Sequence, residues 1–543
     1  MPGHRPHSTW VSSWFSRSGR RACSANPWAG APDMRPLGAF WLAALLALPI
    51  FALAVLPPFG QRMVTLVGIY ALMGLGYQLV FGQLGALNLA QGALFGVGAY
   101  TAALAAPMLG ALALPVAILA AAIPAAVVAG PILRLQSHYF ALATLALASI
   151  VNLVAVHAES LTGGANGISG FVSSLPRGPV LLAMVWICLI AGVLIYAQLF
   201  RGRLGDEARL LREAPLMAAT LGIDGGRWRL AGFVVGAALA GLAGAFSAAI
   251  SGVVSPDVTG FSVMVLCLTS VVIGGSRHPM GAVVGALLAV CLPEMLRDFQ
   301  DAWLLVYAVA TLAIVRWAPG GLAEWIDRLS GARSPVPHKP VVPERLLPAT
   351  GAQRLVLDNV VKRFGGVDAL AGVSFAVGRG EIVGLIGPNG SGKTTLLNVI
   401  GGLDHVDGGA ITLDDTHLEH LPPHVIARKG LGRTFQTLML EGDTRSADLA
   451  RAVSTGAAFL LLDEPAAGAT DRERGQLTSL LRRLRDAGRG VVIVDHDIEL
   501  LTRVCDRLVC LDRGKVIAIG GPAEVRADPR VRASFLGLVE AAA

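Results

Sequence analysis

Charged side chains are the scarcest ingredient of this sequence: they make up 15% of 543 residues, where a soluble protein carries about a quarter. With 54% hydrophobic residues and a mean hydropathy of +0.61, the chain is too apolar to be a soluble enzyme throughout. Cysteine is sparse as well. Cys23, Cys188, Cys267, Cys291, Cys505 and Cys510 show no CxxC spacing, and three fall in apolar runs, which excludes a disulfide framework or a zinc site of the usual kind. Aromatics are 6%, without aromatic-basic repeats or groove-reading motifs, so the net charge of +7 does not indicate nucleic acid. Arginine in the cytoplasmic loops of a membrane protein accounts for it. Residues 1–33, with Arg5, Arg17, Arg20 and Arg21, lack the short apolar core and cleavage site of a secretory signal. Met34 directly precedes "RPLGAF" and the first apolar run, and is the expected translation start.

Long apolar runs dominate up to about residue 318. A bilayer-crossing helix needs roughly 20 mainly apolar residues. Candidate spans are 38–57, 63–83, 87–108, 111–133, 139–157, 179–200, 228–252, 260–275, 280–296 and 302–317, one of which is expected to be re-entrant or broken. With the N-terminus inside, Arg134 and His138, Arg201 to Arg229, and Arg277 with His278 all fall inside, while Glu294, Arg297, Asp298 and Asp301 fall outside. That asymmetry supports an even count and places everything after Arg316 inside. Small residues recur four apart, at Gly92 and Gly96, Gly232 and Gly236, Ala240 and Gly244, a spacing that allows close helix packing. Gln83, Asn88, Gln91, Tyr100 and Asn152 are the polar groups within the runs. Such groups either line a path or join helices. No acid or base lies deep in a span, which argues against a proton-coupled carrier and suits an apolar or zwitterionic solute.

The coarse organisation is a polar basic extension (1–37), a membrane domain (38–318), a linker (319–352) and an α/β nucleotide domain (353–543). Five prolines in "GARSPVPHKPVVPERLLPAT" (331–350) make the linker semi-rigid. "GEIVGLIGPNGSGKTTLLNVI" then reads as a buried strand (Ile382 to Ile386), a glycine-rich loop and a helix. Gly387, Pro388, Asn389, Gly390, Ser391, Gly392, Lys393 and Thr394 fit G-x-x-x-x-G-K-[ST] in that context. Such glycines turn backbone N–H groups toward phosphates, helped by the positive helix end. Lys393 is expected to reach the β- and γ-phosphates of ATP and Thr394 to ligate Mg²⁺, with Thr395 beside it. In "FLLLDEP", Asp463 is expected to hold the Mg²⁺ shell and Glu464 to polarise the attacking water. "VVIVDHD" ends a strand at His496, placed to contact a γ-phosphate, and Phe364 in "VKRFGG" is a candidate adenine stack. Taken singly, the acid pair reads as a helix cap and the His and Phe as structural residues; together and in order they read as a nucleoside triphosphate site.

Phe364, the loop at 387–394, "RTFQ" with Gln436, "LLLDEP" and His496 resemble, in order, the ATPase subunit of ABC transporters. "GPNGSGKTT", "LPPHVIARKGLGRTFQ", "LLLDEPAAG" and "PAEVRADPRV" are similar to the ATPase of the branched-chain (hydrophobic) amino acid uptake family. "GQLGALNLAQGALFGVGAYTAAL", "YFALATLALASIVN", "LTGGANGISG" and "GLAGAFSAAISGVVSPD" resemble that system's permease. The resemblance implies a polytopic helical membrane domain of about ten spans fused to an ABC-type P-loop domain in the bacterial inner membrane. It implies Gln436 as a metal-sensing, catalytic residue. It further implies work with a second permease, a second ATPase and a periplasmic substrate-binding protein, within membrane lipid and without nucleic acid. "LREAPLMAATLGID", in the arginine-rich loop 205–227, resembles the family's coupling helix, with Glu213, Ala214 and Gly222 at the pattern's positions; a plain amphipathic helix is the alternative.

One family element is missing. The resembled ATPase carries a helical subdomain with an LSGGQ-like signature after the glutamine loop, and nothing of that kind stands between Gln436 and Asp463. "DLARAV" resembles the tail of the helix that follows the signature, and "AAGATD" has Ala469 and Thr470 where the family usually has Leu followed by Asn or Asp. The expected consequence is nucleotide binding with weak or absent coupling, since the signature completes a partner's site and the subdomain is the usual seat of the coupling helix. Uptake of urea or short amides is an alternative within the same fold. An exporter and an ATP-binding but inactive chain are alternatives from other classes.

Overall fold

The computed structural model describes residues 38–132, 137–171, 174–295, 302–318, 320–329, 351–434 and 445–536. The basic extension with Met34, the proline-rich stretch 331–350 and Gln436 lie outside the described residues. The chain divides into two compact units, one holding Pro32–Arg212 and Gly225–Val336, the other Pro337–Ala543 together with Glu213–Asp224.

The first unit is helical because its sequence is continuous apolar surface with no alternation to form strands. Its apolar helices run over Ala39–Val55, Pro58–Tyr77, Gln91–Leu109, Ala113–Ile132, Ser137–His157, Gly178–Leu199, Gly225–Ser251, Phe261–Gly274, Gly281–Met295 and Ala302–Trp317. Among the described residues, five stretches are long and apolar enough to cross a membrane: Pro58–Gln83, Gln91–Ile132, His138–His157, Gly178–Leu199 and Gly225–Ser251. Phe40–Val55, Phe261–Gly274 and Gly281–Met295 are shorter, and Gln91–Ile132 holds two of the expected spans, the helices Gln91–Leu109 and Ala113–Ile132, which turn at Gly110 (φ 55°) and pack on each other. Outward residues are apolar, as in Ile187 and Val127 at 65% and 71% exposure, which is the surface lipid would cover.

The spans expected at 63–83 and 87–108 are separated by irregular chain that follows a π-helical turn (Gln78–Gln83) and ends where the helix at Gln91 begins. Polar side chains satisfy what the break frees. Gln91 Nε2 donates to the carbonyls of Met73 (3.3 Å) and Gly236 (3.1 Å), and Gln83 Nε2 donates to the Tyr196 hydroxyl (2.5 Å). Asn88 donates to Gln91 Oε1 at 3.2 Å. These polar groups join helices rather than stand free. The four-apart small residues mark close approaches: a Cβ on Gly244 would run into the Phe95 carbonyl.

The segment read as linker begins with a helix, Leu322–Leu329. Its Asp327 accepts from Trp41 Nε1 (2.7 Å) and faces His278 Nε2 (3.2 Å), pairings that add to its amphipathic pattern of Leu322, Trp325, Ile326 and Leu329.

The second unit has two sheets. Strands β1 (Arg354–Phe364), β2 (Val367–Gly378), β4 (Gly408–Leu413) and β5 (Thr416–His417) form an antiparallel sheet in the order β2-β1-β4-β5. Strands β3 (Ile382–Ile386), β6 (Leu431–Arg433), β7 (Phe459–Asp463), β8 (Gly490–Val494), β9 (Arg507–Asp512) and β10 (Lys515–Gly520) form a second sheet in the order β10-β9-β3-β8-β7-β6. All its pairings are parallel except β9 with β10. β3, β7 and β8 are buried at every position, as expected of parallel strands covered on both faces.

Parallel strands need a crossover of a dozen residues or more, usually helical. Between β6 and β7 about 25 residues suffice, because the helix Arg445–Ser454 lies among them. Leu449, Ala452 and Val453 bury themselves against the sheet with Leu460 and Leu462, and Arg489 Nη1 donates to the Val453 carbonyl (2.9 Å). The short connection thus leaves a continuous sheet.

Candidate nucleotide site

Strand register places the site. Val494 of β8 is level with Asp463 of β7 and with Leu385 of β3, so Gly387, Glu464 and His496 follow directly at one carboxyl edge of the sheet. The carboxyl edge of a parallel sheet is where α/β folds bind ligands.

Gly387 opens the loop with a backbone no other residue fits: a Cβ there would collide with the Leu511 carbonyl and stand 2.7 Å from Ser391 Oγ. The helix Lys393–Ile400 follows, capped by Gly392 at φ 101°. Lys393 is 7% exposed, and its Nζ donates to the carbonyls of Gly387 and Pro388, each at 2.9 Å. Burial lowers its pKa, partly offset by Glu464, Cys510 and Asp463. An ammonium held by loop carbonyls is poised to exchange them for phosphate oxygens. Ser391 Oγ is buried without a hydrogen-bond partner among the described residues. Pro388 and Thr395 are half-buried, and Asn389, Gly390 and Thr394 are exposed at the loop surface.

Asp463 is 3% exposed at the end of β7, and its Oδ1 has no hydrogen-bond partner among the described residues. Burial raises its pKa, opposed by the Arg433 guanidinium 3.7 Å from Oδ2. Arg433 is itself pushed down to about 10, mainly by burial. A buried carboxylate oxygen and a buried hydroxyl without partners are what a triphosphate–Mg²⁺ site requires of its protein, so the residues fit that ligand. Glu464 sits in left-handed backbone (φ 46°), its amide donates to the Val494 carbonyl (2.7 Å), and its Oε1 lies 2.8 Å from His496 Nε2. Phe364 closes β1 with 49% of its surface exposed, and the Lys362 ammonium stands 5.1 Å from its ring centroid.

Three residues escaped the sequence reading. Arg433 donates to Asn398 Oδ1 (2.7 Å) as well as facing Asp463, and thereby ties β6 to the loop helix. Thr434 Oγ1 accepts from the Asp463 amide (3.2 Å). Asp495 accepts from the amides of Ala466 (2.9 Å) and Asp497 (3.0 Å), which fixes the turn after the acid pair. Their signal was position: each polar side chain ends or adjoins a buried strand.

The segment Glu213–Asp224 belongs to this unit. Glu213 ends the helix Arg203–Glu213, and Ala214, 2% exposed, begins Pro215–Thr220, which packs on Pro423–Arg428. Arg428 Nε donates to the Gly222 carbonyl (2.8 Å), and His424 Nε2 lies 3.5 Å from Asp224 Oδ2. The seat of this segment therefore precedes the shortened stretch after Gln436, against the expectation that the missing subdomain would carry it.

Comparison with known proteins agrees with this division. Residues 61–315 match the family model "Branched-chain amino acid transport system / permease component". Residues 370–446 match "ABC transporter", and 515–540 match "Branched-chain amino acid ATP-binding cassette transporter". The high-affinity branched-chain amino acid transport ATP-binding protein LivG of Salmonella typhimurium is 31% identical, over 97% of its length and 34% of this chain. The lipopolysaccharide export system ATP-binding protein LptB of Escherichia coli is also 31% identical, over 97% of its length, so the ATPase part alone does not separate the two systems; the permease match does. BraF of Pseudomonas aeruginosa, another branched-chain amino acid transport ATP-binding protein, is 29% identical. A nucleotide-free ATP-binding cassette from an ABC transporter is 23% identical, with a TM-score of 0.32, over 34% of this chain and 98% of that one. The LivG alignment runs over 248 positions but takes up only 34% of 543 residues, about 185, so some 60 positions of LivG face a gap. A helical membrane unit, a nucleotide cradle with its acid pair and these matches lead to one conclusion: the chain belongs to the branched-chain amino acid ABC transporter family, with permease and ATP-binding parts in a single polypeptide.

Proposed function

We propose that this chain imports branched-chain and other hydrophobic amino acids across the bacterial inner membrane, driven by ATP bound at Gly387 to Thr395. The reading is carried by the Lys393 cradle, with its unpartnered Ser391 and Asp463 oxygens, in the same polypeptide as a branched-chain amino acid permease match. Lys393 and the loop amides bind the triphosphate, and Phe364 stacks on the base. Thr394, Asp463 and Gln436 hold Mg²⁺, which supplies charge neutralisation at the phosphates when bound. Glu464 accepts a proton from the attacking water, and His496, hydrogen-bonded to it, fixes the carboxylate's orientation.

The working complex contains a second permease, a substrate-binding protein outside the membrane, and a second ATPase. That second ATPase supplies the signature this chain lacks. Fusion holds permease and ATPase at high effective concentration. Glu213, Ala214 and Gly222 transmit closure through the Arg428 and His424 contacts.

A second reading is an ATP-binding chain without coupled transport. The connection of only about 25 residues between β6 and β7 favours it, since nothing like the family's signature stands between Gln436 and Asp463. Cells lacking the chain, complemented with wild type or Lys393→Ala, separate the two. Leucine uptake restored by wild type alone supports import; ATP retention without any restored uptake supports the second reading.

A further inference from the structure

Three side chains pin the π-helical turn Gln78–Gln83 within the helical unit. Gln78 Nε2 donates to the carbonyls of Gly275 (2.9 Å) and His278 (3.2 Å). Gln83 Nε2 donates to the Tyr196 hydroxyl, and a Cβ on Gly82 would run into the Ser276 carbonyl. The third side chain is charged. The last carbonyls of a helix lack partners within it and form its negative end. Here the Gly82 carbonyl accepts from Arg212 Nη1. The arginine stem lies along the same turn, since a Cβ on Gly85 (φ 67°) would stand 2.9 Å from Arg212 Cγ. A π-helical turn closes i→i+5 bonds, so returning it to α geometry shifts the chain beyond by one residue, about 100° around the axis. The chain beyond is the irregular stretch 84–90, which Gln91 ties to Met73 and Gly236.

Arg212 differs from the two glutamines in what its backbone joins. It is the last residue of the helical unit before Glu213–Asp224, the segment that belongs to the ATP-binding unit. There Pro215–Thr220 packs on Pro423–Arg428, and the Gly222 carbonyl accepts from Arg428 Nε (2.8 Å). Little slack lies between. Arg212 and Glu213 close the helix Arg203–Glu213, Ala214 is 2% exposed, and Pro215 keeps Ala214 out of helical backbone (φ −142°). We propose that Arg212 is the positioning residue that passes movement of Glu213–Asp224 to the interrupted helix, by gripping or releasing the Gly82 carbonyl at the end of the π-helical turn. Withdrawal of the guanidinium leaves that carbonyl unpaired and lets the turn relax, which rotates the stretch 84–90 that follows it. This role rests on the importer reading above, which named contacts on the ATP-binding side, and adds the receiving end in the helical unit.

Two readouts test it on the full chain assembled with its partner subunits in proteoliposomes. The first is labelling of Ala86→Cys, in the irregular stretch, by a small methanethiosulfonate reagent with and without ATP and Mg²⁺, corrected for a chain lacking that cysteine. The second is leucine accumulated per ATP hydrolysed. Ala86→Cys alone labels at a rate that depends on ATP. Adding Arg212→Met, which cannot donate, keeps ATP retention and hydrolysis but abolishes that dependence. It also lowers leucine per ATP about tenfold or more, the effect of one lost charge-assisted hydrogen bond. Arg212→Lys, which still donates to a carbonyl, restores both. Labelling that ignores ATP with Arg212 in place, or that still follows ATP in Arg212→Met, overturns the role. Equal loss in Arg212→Lys and Arg212→Met overturns it too, because packing alone then explains the arginine. ATP-dependent labelling that needs Arg212, without any leucine accumulation by wild type, supports the Arg212 link and contradicts the importer reading instead.

Discussion

Replacing Lys393 with methionine separates the nucleotide from the fold. The side chain is 7% exposed, and among the described residues its ammonium donates only to the Gly387 and Pro388 carbonyls, both at 2.9 Å. With ATP bound, the same ammonium makes a charge-assisted hydrogen bond to phosphate, worth about 1.5–3 kcal/mol. Lys393→Met therefore weakens ATP binding about 10- to 150-fold, at a decade per 1.4 kcal/mol. Stability without nucleotide responds differently. The variant loses two hydrogen bonds but also removes the burial penalty that lowers the lysine pKa, so the two effects oppose each other. The melting temperature of the nucleotide-free ATP-binding unit moves by no more than about 2–4 °C, equivalent to about 1 kcal/mol. The sign with pH follows. Because the folded pKa lies below the usual lysine value, the folded chain binds fewer protons, and the penalty is present at low pH and relieved as pH rises through the lowered value. ATP affinity moves oppositely and falls over that window as the ammonium is lost. Equilibrium binding of a fluorescent ATP analogue and thermal unfolding with and without nucleotide read both effects. Unchanged ATP affinity, or a stability loss of several kcal/mol without nucleotide, refutes the reasoning.

Other perturbations probe the remaining parts. Glu464→Gln keeps ATP affinity but slows phosphate release about 10²–10⁴-fold in the assembled transporter, the range for a removed general base; an unaffected rate removes Glu464 from that role. Gly387→Ala drives a methyl into the Leu511 carbonyl and costs about 1–3 kcal/mol as overpacking, read as a lowered melting temperature together with lost ATP retention. Arg428→Ala removes the bond to the Gly222 carbonyl, a loss of roughly 1.5–3 kcal/mol at the contact, and should lower leucine uptake while ATP retention stays as in wild type. Leu461→Ala, fully buried in the centre of β7, destabilises the unit by about 2–5 kcal/mol in thermal unfolding.

Much of the fold was legible because apolar patterning is local. The strand expected at Ile382 to Ile386 is β3, and the spans expected at 139–157 and 228–252 are the helices Ser137–His157 and Gly225–Ser251. The glycine loop was legible for the same reason, since strand, loop and helix adjoin in sequence. The irregular chain at 84–90 was only partly legible, because it is held by side-chain bonds: Asn88 to Gln91, and Gln91 to the carbonyls of Met73 and Gly236 on other helices. Leu322–Leu329 was hidden in a proline-rich context and is held by Trp41 and His278. The seat of Glu213–Asp224 on Pro423–Arg428 joins segments some 200 residues apart, and no local pattern announces it. Arg433 and Thr434 acquire their roles only through pairing with β7.

The central claim is that ATP gripped at Gly387 to Thr395 drives solute through the helical part of the same chain. Proteoliposomes holding the full chain with its partner subunits, loaded with Mg²⁺ and ATP and given labelled leucine outside, test it most directly. The account predicts accumulation that ends when ADP replaces ATP or when Lys393→Ala replaces wild type. Leucine accumulation that continues under either replacement contradicts it.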